Sequence, residues 1–137
     1  MLGENLVCSP RPPADAVAVD DLLHNPALLE RLLRQRADHL GVRGDDVRAV
    51  ASTWSLQYLW ALLPPLAAAA SVLQHVFPAA AEDMALTVDA EGLPQRFYIS
   101  HEGAPAPDAN TLTRYDALLF QHLEPLFARI SEQANLP

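Results

Sequence analysis

The sequence predicts an α+β fold, in which about four helices pack with one antiparallel β-hairpin. Apolar residues recur every three to four positions before residue 77 and again after residue 110, which is typical of helices that bury one face. Residues 84–100 instead alternate apolar and polar side chains, which is typical of half-buried strands. We expect a single domain over residues 20–137, preceded by a flexible N-terminal arm over residues 1–19.

The first predicted helix begins at Asn25-Pro26. Asparagine is a good N-cap, and proline suits the first helical position. Leucines repeat at helical spacing over residues 28–40, and Gly41 follows where a glycine commonly ends a helix. Three prolines among residues 10–13 interrupt regular structure, which is why the first nineteen residues are predicted to form an arm.

Two further helices are predicted in the apolar middle of the chain. The second begins at Gly44-Asp45-Asp46, where carboxylates face the positive end of the helix dipole. It is expected to end or bend at Pro64-Pro65, because proline lacks an N–H and disfavours helix in the residue before it. The third is predicted from Pro65 to about Val76, and Pro78 ends it.

The hairpin and the last helix follow. Strands are predicted near residues 83–89 and 95–100, joined by turn residues into an antiparallel hairpin whose loop is longer than two residues. Residues 101–110 are predicted to form a surface loop. The last helix begins near Asn110 or Thr111, and Pro125 predicts a kink or a 3₁₀ step within it.

The stretch from Thr53 to Phe77 raises the alternative of a membrane span. It carries both tryptophans and no formal charge, and it is long enough to cross a bilayer. Polar residues are spread through it, however, and Pro64-Pro65 interrupts its centre. Its flanks are acidic rather than basic, so they give no orientation signal. Two buried helices explain the same apolarity, and no membrane span is predicted.

The overall charge disfavours one class of partner. The formal net charge is −8, whereas binding to nucleic acid needs a basic face that neutralises phosphates. There is one cysteine, Cys8, which excludes an internal disulfide. The first residues lack the apolar run of a secretory signal, so a cytoplasmic location is expected.

Motifs alone assign no enzyme activity. None of the five histidines forms a metal-binding pair on one helical face. Trp54, Tyr58 and Trp60 suggest a stacking site for a planar ligand, but only Trp54 and Tyr58 share a helix face, and a core role is favoured for them. His122 is interpreted as a core histidine with satisfied hydrogen bonds. The sequence His101-Glu102 supplies the best polar pair in a loop that would line a cleft.

Three segments together carry a family resemblance. They are Trp54, Tyr58 and Pro64-Pro65-Leu66 at fixed spacing, the hairpin segment over residues 77–99, and the closing helix with the sequence LLFQHLEPLFARI. Their order resembles the FhuF-type ferric-siderophore reductases, which are cytoplasmic bacterial iron-uptake proteins. The resemblance extends from about Leu22 to the end of the chain. A more distant similarity is to the C-terminal region of the IucA/IucC-type siderophore synthetases.

This resemblance implies a siderophore-linked function. In that family, a C-terminal Cys-Cys…Cys-x-x-Cys segment holds a [2Fe–2S] cluster that passes an electron to ferric iron. This sequence has no counterpart of that segment, and Cys8 matches none of its ligands. We therefore expect a truncated, reductase-like domain that recognises ferric siderophore. No catalytic residue, metal ligand or cofactor is assigned to this chain, and the [2Fe–2S] cluster is expected only in a full-length family member.

The ligand-binding side chains that the resemblance suggests are Arg96 and Tyr98 on the second strand, His101 in the following loop, and Trp60. Arginine and aromatic groups suit bulky, oxygen-rich ferric complexes. The expected partners are a ferric siderophore and a second copy of the chain or a redox partner. Two alternatives remain open: a stand-alone interaction or dimerisation module without a ligand, and an enzyme whose site forms only in three dimensions.

Overall fold

The computed structural model describes residues 6–9, 11–41 and 47–134, and it confirms the predicted α+β fold class. The strands are β1 (Leu6–Cys8), β2 (Val17–Ala18), β3 (His75–Val76), β4 (Met84–Val88), β5 (Pro94–Ile99) and β6 (Ala104–Pro105). The helices are α1 (Val19–His24), α2 (Pro26–Leu40), α3 (Val47–Ser71), α4 (Thr111–Leu118) and α5 (Glu124–Ala134). A 3₁₀ turn lies at Ala81–Asp83 and a π-helical segment at Leu119–Leu123.

The predicted hairpin is the centre of a four-stranded mixed sheet with the order β1-β5-β4-β2. β4 and β5 are antiparallel, with Leu86 opposite Phe97. Both of these side chains are fully buried and face the helices. The separate ribbon of β3 and β6 is also antiparallel.

The hairpin turn is longer than two residues, as predicted, and it is fixed by its own side chains. The Oδ1 atom of Asp89 accepts the backbone N–H groups of Glu91 and Leu93 at 2.9 and 3.0 Å. Gly92 adopts a positive φ of 84°, where a Cβ would lie 2.9 Å from the backbone nitrogen of Arg36. The carbonyl of Gly92 accepts the indole N–H of Trp54 at 3.0 Å, which ties the hairpin to α3.

The prediction of two helices meeting at Pro64-Pro65 is wrong, because α3 is one helix of 25 residues that runs through both prolines. Pro64 and Pro65 have no N–H for the carbonyls of Trp60 and Ala61, so the helix lacks two of its backbone hydrogen bonds at this point. The inner face, which includes Leu62 and Leu66, stays buried on both sides of the prolines. The burial of this inner face in the folded chain therefore outweighs the tendency of proline to end a helix. The expected start at Gly44-Asp45-Asp46 lies outside the described residues.

Short strands are the main elements that the sequence does not reveal. β1 pairs in parallel with β5, and β2 pairs with β4, although both lie within the predicted arm. β3 lies where the third helix was expected, and β6 interrupts the predicted loop. Strands of two or three residues are too short to show a periodicity. The division into an arm and one domain stays a prediction.

The irregularity near Pro125 is a π-helical segment rather than the predicted kink or 3₁₀ step. The N–H of Glu124 bonds to the carbonyl of Leu119, five residues back, so the helix is widened just before the proline. The widened turn carries His122, which lies fully buried against α3.

None of the helices in the part of the chain that the structure describes combines the length and the apolarity that crossing a membrane requires. The apolar inner face of α3 is instead covered by the sheet and by α2 and α5.

The two asparagines at helix starts give a matched pair for a stability test. Asn110 accepts the N–H of Thr113 at 2.8 Å, whereas Asn25 makes no such cap bond at the start of α2. We expect Asn110→Ala to lower the free energy of unfolding by about 1 kcal/mol. Asn25→Ala should change it by less than about 0.5 kcal/mol. Urea denaturation of both variants measures the difference, and equal losses would show that the Asn110 bond does not stabilise α4.

Candidate functional site

An open groove of about 520 Å³ lies between the β3–β6 ribbon, the segment from Val76 to Asp83, and α4. Its floor is apolar and includes Phe77, Pro78 and several alanines. Its polar lining residues are Asp83, His101, Thr113, Arg114 and Gln121. The volume and this mixture of an apolar floor with a few polar groups are typical of small-molecule sites.

The ribbon that forms one wall depends on two residues with positive φ. Gln74, directly before β3, has a φ of 54°, and Gly103, directly before β6, has a φ of 71°. A Cβ at Gly103 would lie only 1.9 Å from the carbonyl oxygen of Val76. Glycine is therefore required for β6 to approach β3 this closely.

Arg114 ties the loop after the ribbon to α4. Its Nε donates to the carbonyl of Ala106 at 2.9 Å, and its Nη2 donates to the carbonyl of Pro107 at 3.1 Å. The N–H of Ala106 in turn donates to the carbonyl of Gln74 at 2.7 Å. This chain of bonds holds the ribbon and the helix together at one end of the groove.

Two histidines organise the ribbon itself. His75 stacks edge-on against Phe77, with ring centroids 5.0 Å apart, and its Nε2 donates to the carbonyl of Glu102. The Nδ1 atom of His101 accepts the N–H of Gly103 at 3.1 Å. A neutral His101 ring therefore carries its proton on Nε2, which leaves that atom as a hydrogen-bond donor.

The back wall of the groove is fixed by the buried His122. Its Nδ1–H donates to the carbonyl of Ala79 at 2.9 Å, because a carbonyl can only accept. The other ring nitrogen, Nε2, then accepts the hydroxyl of Tyr58. Burial lowers the pKa of His122 to about 4, and burial raises the pKa of Tyr58 well above its usual value. Both groups are therefore neutral near pH 7.

Tyr58 connects this wall to the rest of the core. Its ring lies 5.5 Å from that of Trp54 and 4.9 Å, edge to face, from that of Phe97. Trp54, Tyr58 and His122 are all fully buried. The predictions of a core role for the two aromatic residues and of a satisfied core histidine are confirmed.

The four ligand-binding residues predicted from the sequence are not brought together. His101 lines the groove. Trp60 is 66% exposed on the outer side of α3, while Arg96 is exposed and Tyr98 is buried on β5. These last three do not line the groove. Their ligand-binding roles stay predictions.

The remaining polar residues of the groove were not found from the sequence. Asp83 ends the 3₁₀ turn, and Thr113, Arg114 and Gln121 lie on α4 and the π-helical segment. None of the four belongs to a motif. Thr113, Arg114 and Gln121 share one signal, which is that they follow a loop with two prolines and one glycine that also carries His101.

Within the described ranges, the structure brings together no set of side chains that would hold an iron–sulfur cluster. Within the described ranges, no three His, Cys, Asp or Glu side chains lie close enough together to hold a metal ion. The sequence has one cysteine, and Cys8 is exposed on β1, whereas a [2Fe–2S] cluster needs four ligands. The residues present therefore do not fit the cluster that the resemblance implies.

The described residues form an α+β fold with an open groove of about 520 Å³ between a β-ribbon and a helix. Residues 52–137 match the family described as "Ferric iron reductase FhuF-like transporter", and the chain belongs to this family. The match covers well over half of the chain, from Ser52 in α3 onwards, and it confirms the resemblance predicted from the sequence. It indicates a role related to ferric iron reduction. No curated protein gives a significant match to the chain. The distant relation to the siderophore synthetases stays a prediction.

Proposed function

We propose that this chain is a cytoplasmic recognition domain that binds a ferric siderophore in the groove between the β3–β6 ribbon and α4. The observation that carries the proposal is the groove itself, which combines about 520 Å³ of space with an apolar floor and a polar rim. Membership of the FhuF-like family supports the choice of an iron complex as the ligand.

The chemistry of the groove suits such a ligand. A ferric siderophore surrounds its iron with its own oxygen atoms, so the protein needs hydrogen-bond donors rather than metal ligands. His101 Nε2, the Thr113 hydroxyl and the Gln121 amide are such donors at the groove. Phe77 and Pro78 offer apolar surface to the carbon chains that link the iron-binding groups.

Charge contributes little to this recognition. Arg114 donates hydrogen bonds from two of its nitrogens to backbone carbonyls. Its guanidinium group is therefore not free to bind a ligand through two parallel hydrogen bonds. Asp83 places an acidic group at the same groove. Affinity should therefore rest on shape and hydrogen bonding, and it should depend only weakly on salt.

The proposal assigns recognition, and not electron transfer, to this chain. Reduction of ferric to ferrous iron consumes one electron, and the single cysteine cannot hold the cluster that the family uses. The electron must therefore come from a redox centre that these 137 residues do not form.

Isothermal titration calorimetry with a ferric tris-hydroxamate and a ferric tris-catecholate tests the proposal. We expect saturable binding of at least one ferric complex and much weaker binding of its iron-free form. His101→Ala and Gln121→Ala should each weaken binding by about tenfold, since each removes a hydrogen bond to the ligand.

Arg96→Ala and Trp60→Ala are matched controls, because both side chains are exposed outside the groove. They should leave the affinity unchanged. Loss of binding in these controls, with none in the groove variants, would place the ligand on β5 or α3 and contradict the proposal. Absence of binding for both ferric complexes would contradict it as well.

A further inference from the structure

The β3–β6 ribbon has only a short backbone ladder to hold its two strands together. Each strand has two residues, and Pro105, which lies opposite His75, has no N–H to donate. At one end of the ribbon, the N–H of Ala106 donates to the carbonyl of Gln74. At the other end, residues 101–103 are held by side chains. The position of this groove wall therefore depends on side-chain hydrogen bonds.

His101 holds that second end with a bond that only the neutral ring can make. Its Nδ1 accepts the backbone N–H of Gly103 at 3.1 Å. Gly103 lies directly against β3, where a Cβ would come within 1.9 Å of the carbonyl oxygen of Val76. A protonated imidazole carries a hydrogen on both ring nitrogens and cannot accept. Protonation would therefore place two N–H groups face to face, and the ring would have to turn away.

We propose that protonation of His101 loosens the ribbon wall, so that the groove holds its ligand at neutral pH and releases it more readily in acid. This inference rests on the ligand site proposed above, which His101 lines. Once the ring has turned away from Gly103, its Nε2–H no longer faces the ligand. Histidine is the side chain whose charge ordinarily changes between pH 5 and 8, which is the range that such a switch requires.

The other ionisable groups at this end of the groove keep their bonds on acidification. His75 donates from Nε2 to the carbonyl of Glu102, and a protonated His75 still donates. Asp83 and Arg114 line the groove with opposite charges, and Arg114 is bonded to backbone carbonyls. Among the residues that the structure describes, no carboxylate lies within 4 Å of the His101 ring, so no ion pair replaces the bond that protonation breaks.

An NMR titration of the ¹⁵N-labelled chain from pH 8 to pH 5.5 tests this switch without any ligand. The amide signals of Gly103 and Ala104 should move with the same midpoint as the ring signals of His101. The protection factor of the Gly103 amide, which corrects for the intrinsic effect of pH on exchange, should fall by about fivefold, the scale of one lost hydrogen bond. His122 does not contribute in this range, since its pKa is about 4.

His101→Asn is the matched variant, because an asparagine side chain accepts the N–H two residues on in an Asx turn and does not titrate. Its Gly103 amide should keep the same protection at both ends of the titration. Equal loss of protection in His101→Asn would overturn the inference, and so would a wild-type Gly103 amide that does not follow the titration of the His101 ring.

Calorimetric titration with the ferric tris-hydroxamate at pH 8 and pH 5.5 measures the effect on binding. The wild-type affinity should fall by about fivefold in acid. His101→Asn lacks the Nε2–H donor and should bind more weakly at pH 8, but with the same affinity at pH 5.5. His24→Asn is the control, since His24 is exposed outside the groove, and it should follow the wild type.

The two measurements separate the switch from the site. Absence of binding at pH 8 would contradict the proposed function, and the NMR titration would still decide whether His101 controls the ribbon. Binding of equal strength at both pH values in the wild type would leave the site in place and overturn the switch. The same fall in affinity in His101→Asn as in the wild type would overturn it as well.

Discussion

Acidification from pH 7 to pH 4 is expected to lower the free energy of unfolding by about 3 kcal/mol through His122 alone. In the folded chain the pKa of His122 is lowered from 6.5 to about 4, because the ring is buried between Tyr58 and Ala79. The unfolded chain therefore binds the proton first as the pH falls. The stabilisation is fully present above pH 6.5 and is lost progressively down to about pH 4.

Chemical denaturation at several pH values, compared between the wild type and His122→Gln, isolates this contribution. Carboxylates titrate in the same range, but they do so in both proteins. His122→Gln should be less stable at pH 7 and should show a shallower loss of stability between pH 6.5 and 4. His24→Gln is the control, since His24 is largely exposed, and it should follow the wild type. Equal pH slopes for the wild type and His122→Gln would show that His122 is not held neutral in the fold.

Gly103→Ala is expected to abolish ligand binding while the core of the domain survives. The new Cβ would lie 1.9 Å from the carbonyl oxygen of Val76, so β6 must move away from β3 and the ribbon wall is displaced. Because the ribbon forms one side of the groove, its displacement removes the contacts that it would make with the ligand. The affinity for the ferric complex should therefore fall by at least about a hundredfold.

Gly41→Ala separates this clash from ordinary backbone strain. Gly41 also has a φ of 71°, but no atom lies within 4 Å of the position of its Cβ. It should lose about 1 kcal/mol of stability and no affinity. Calorimetric titration and thermal unfolding of both variants measure the two effects. Wild-type affinity in Gly103→Ala would mean that the ribbon is not part of the binding site.

The sequence predicted the elements whose signal is long and regular. Helix α2 with its cap Gly41, the hairpin around Asp89 and the start of α4 after its cap Asn110 all follow from periodicity and capping residues. The continuous course of α3 through Pro64-Pro65 could not be predicted from such patterns. The free-energy cost of proline within a helix is offset there by the burial of apolar side chains, which arises only in the folded chain.

The candidate site was predictable only in part. The polar pair His101-Glu102 in the loop after the second strand indicated that His101 would line a cleft, and His101 does line the groove. The rest depends on pairing between strands of two residues and on the close approach of Gly103 to Val76, for which the sequence carries no pattern. Arg114 and Gln121 reach the groove from α4 and the π-helical segment, far along the chain from β3.

Paramagnetic line broadening in the NMR spectrum of the ¹⁵N-labelled chain tests the central claim most directly. The ferric complex should broaden the backbone amide signals of Ala79, Gly103, Thr113 and Gln121, which surround the groove. The same siderophore loaded with gallium(III), which is diamagnetic, should shift these signals without broadening them. Broadening centred on Arg96 and Tyr98 or on Trp60, or no broadening at saturating ligand, would contradict a ferric siderophore site between the ribbon and α4.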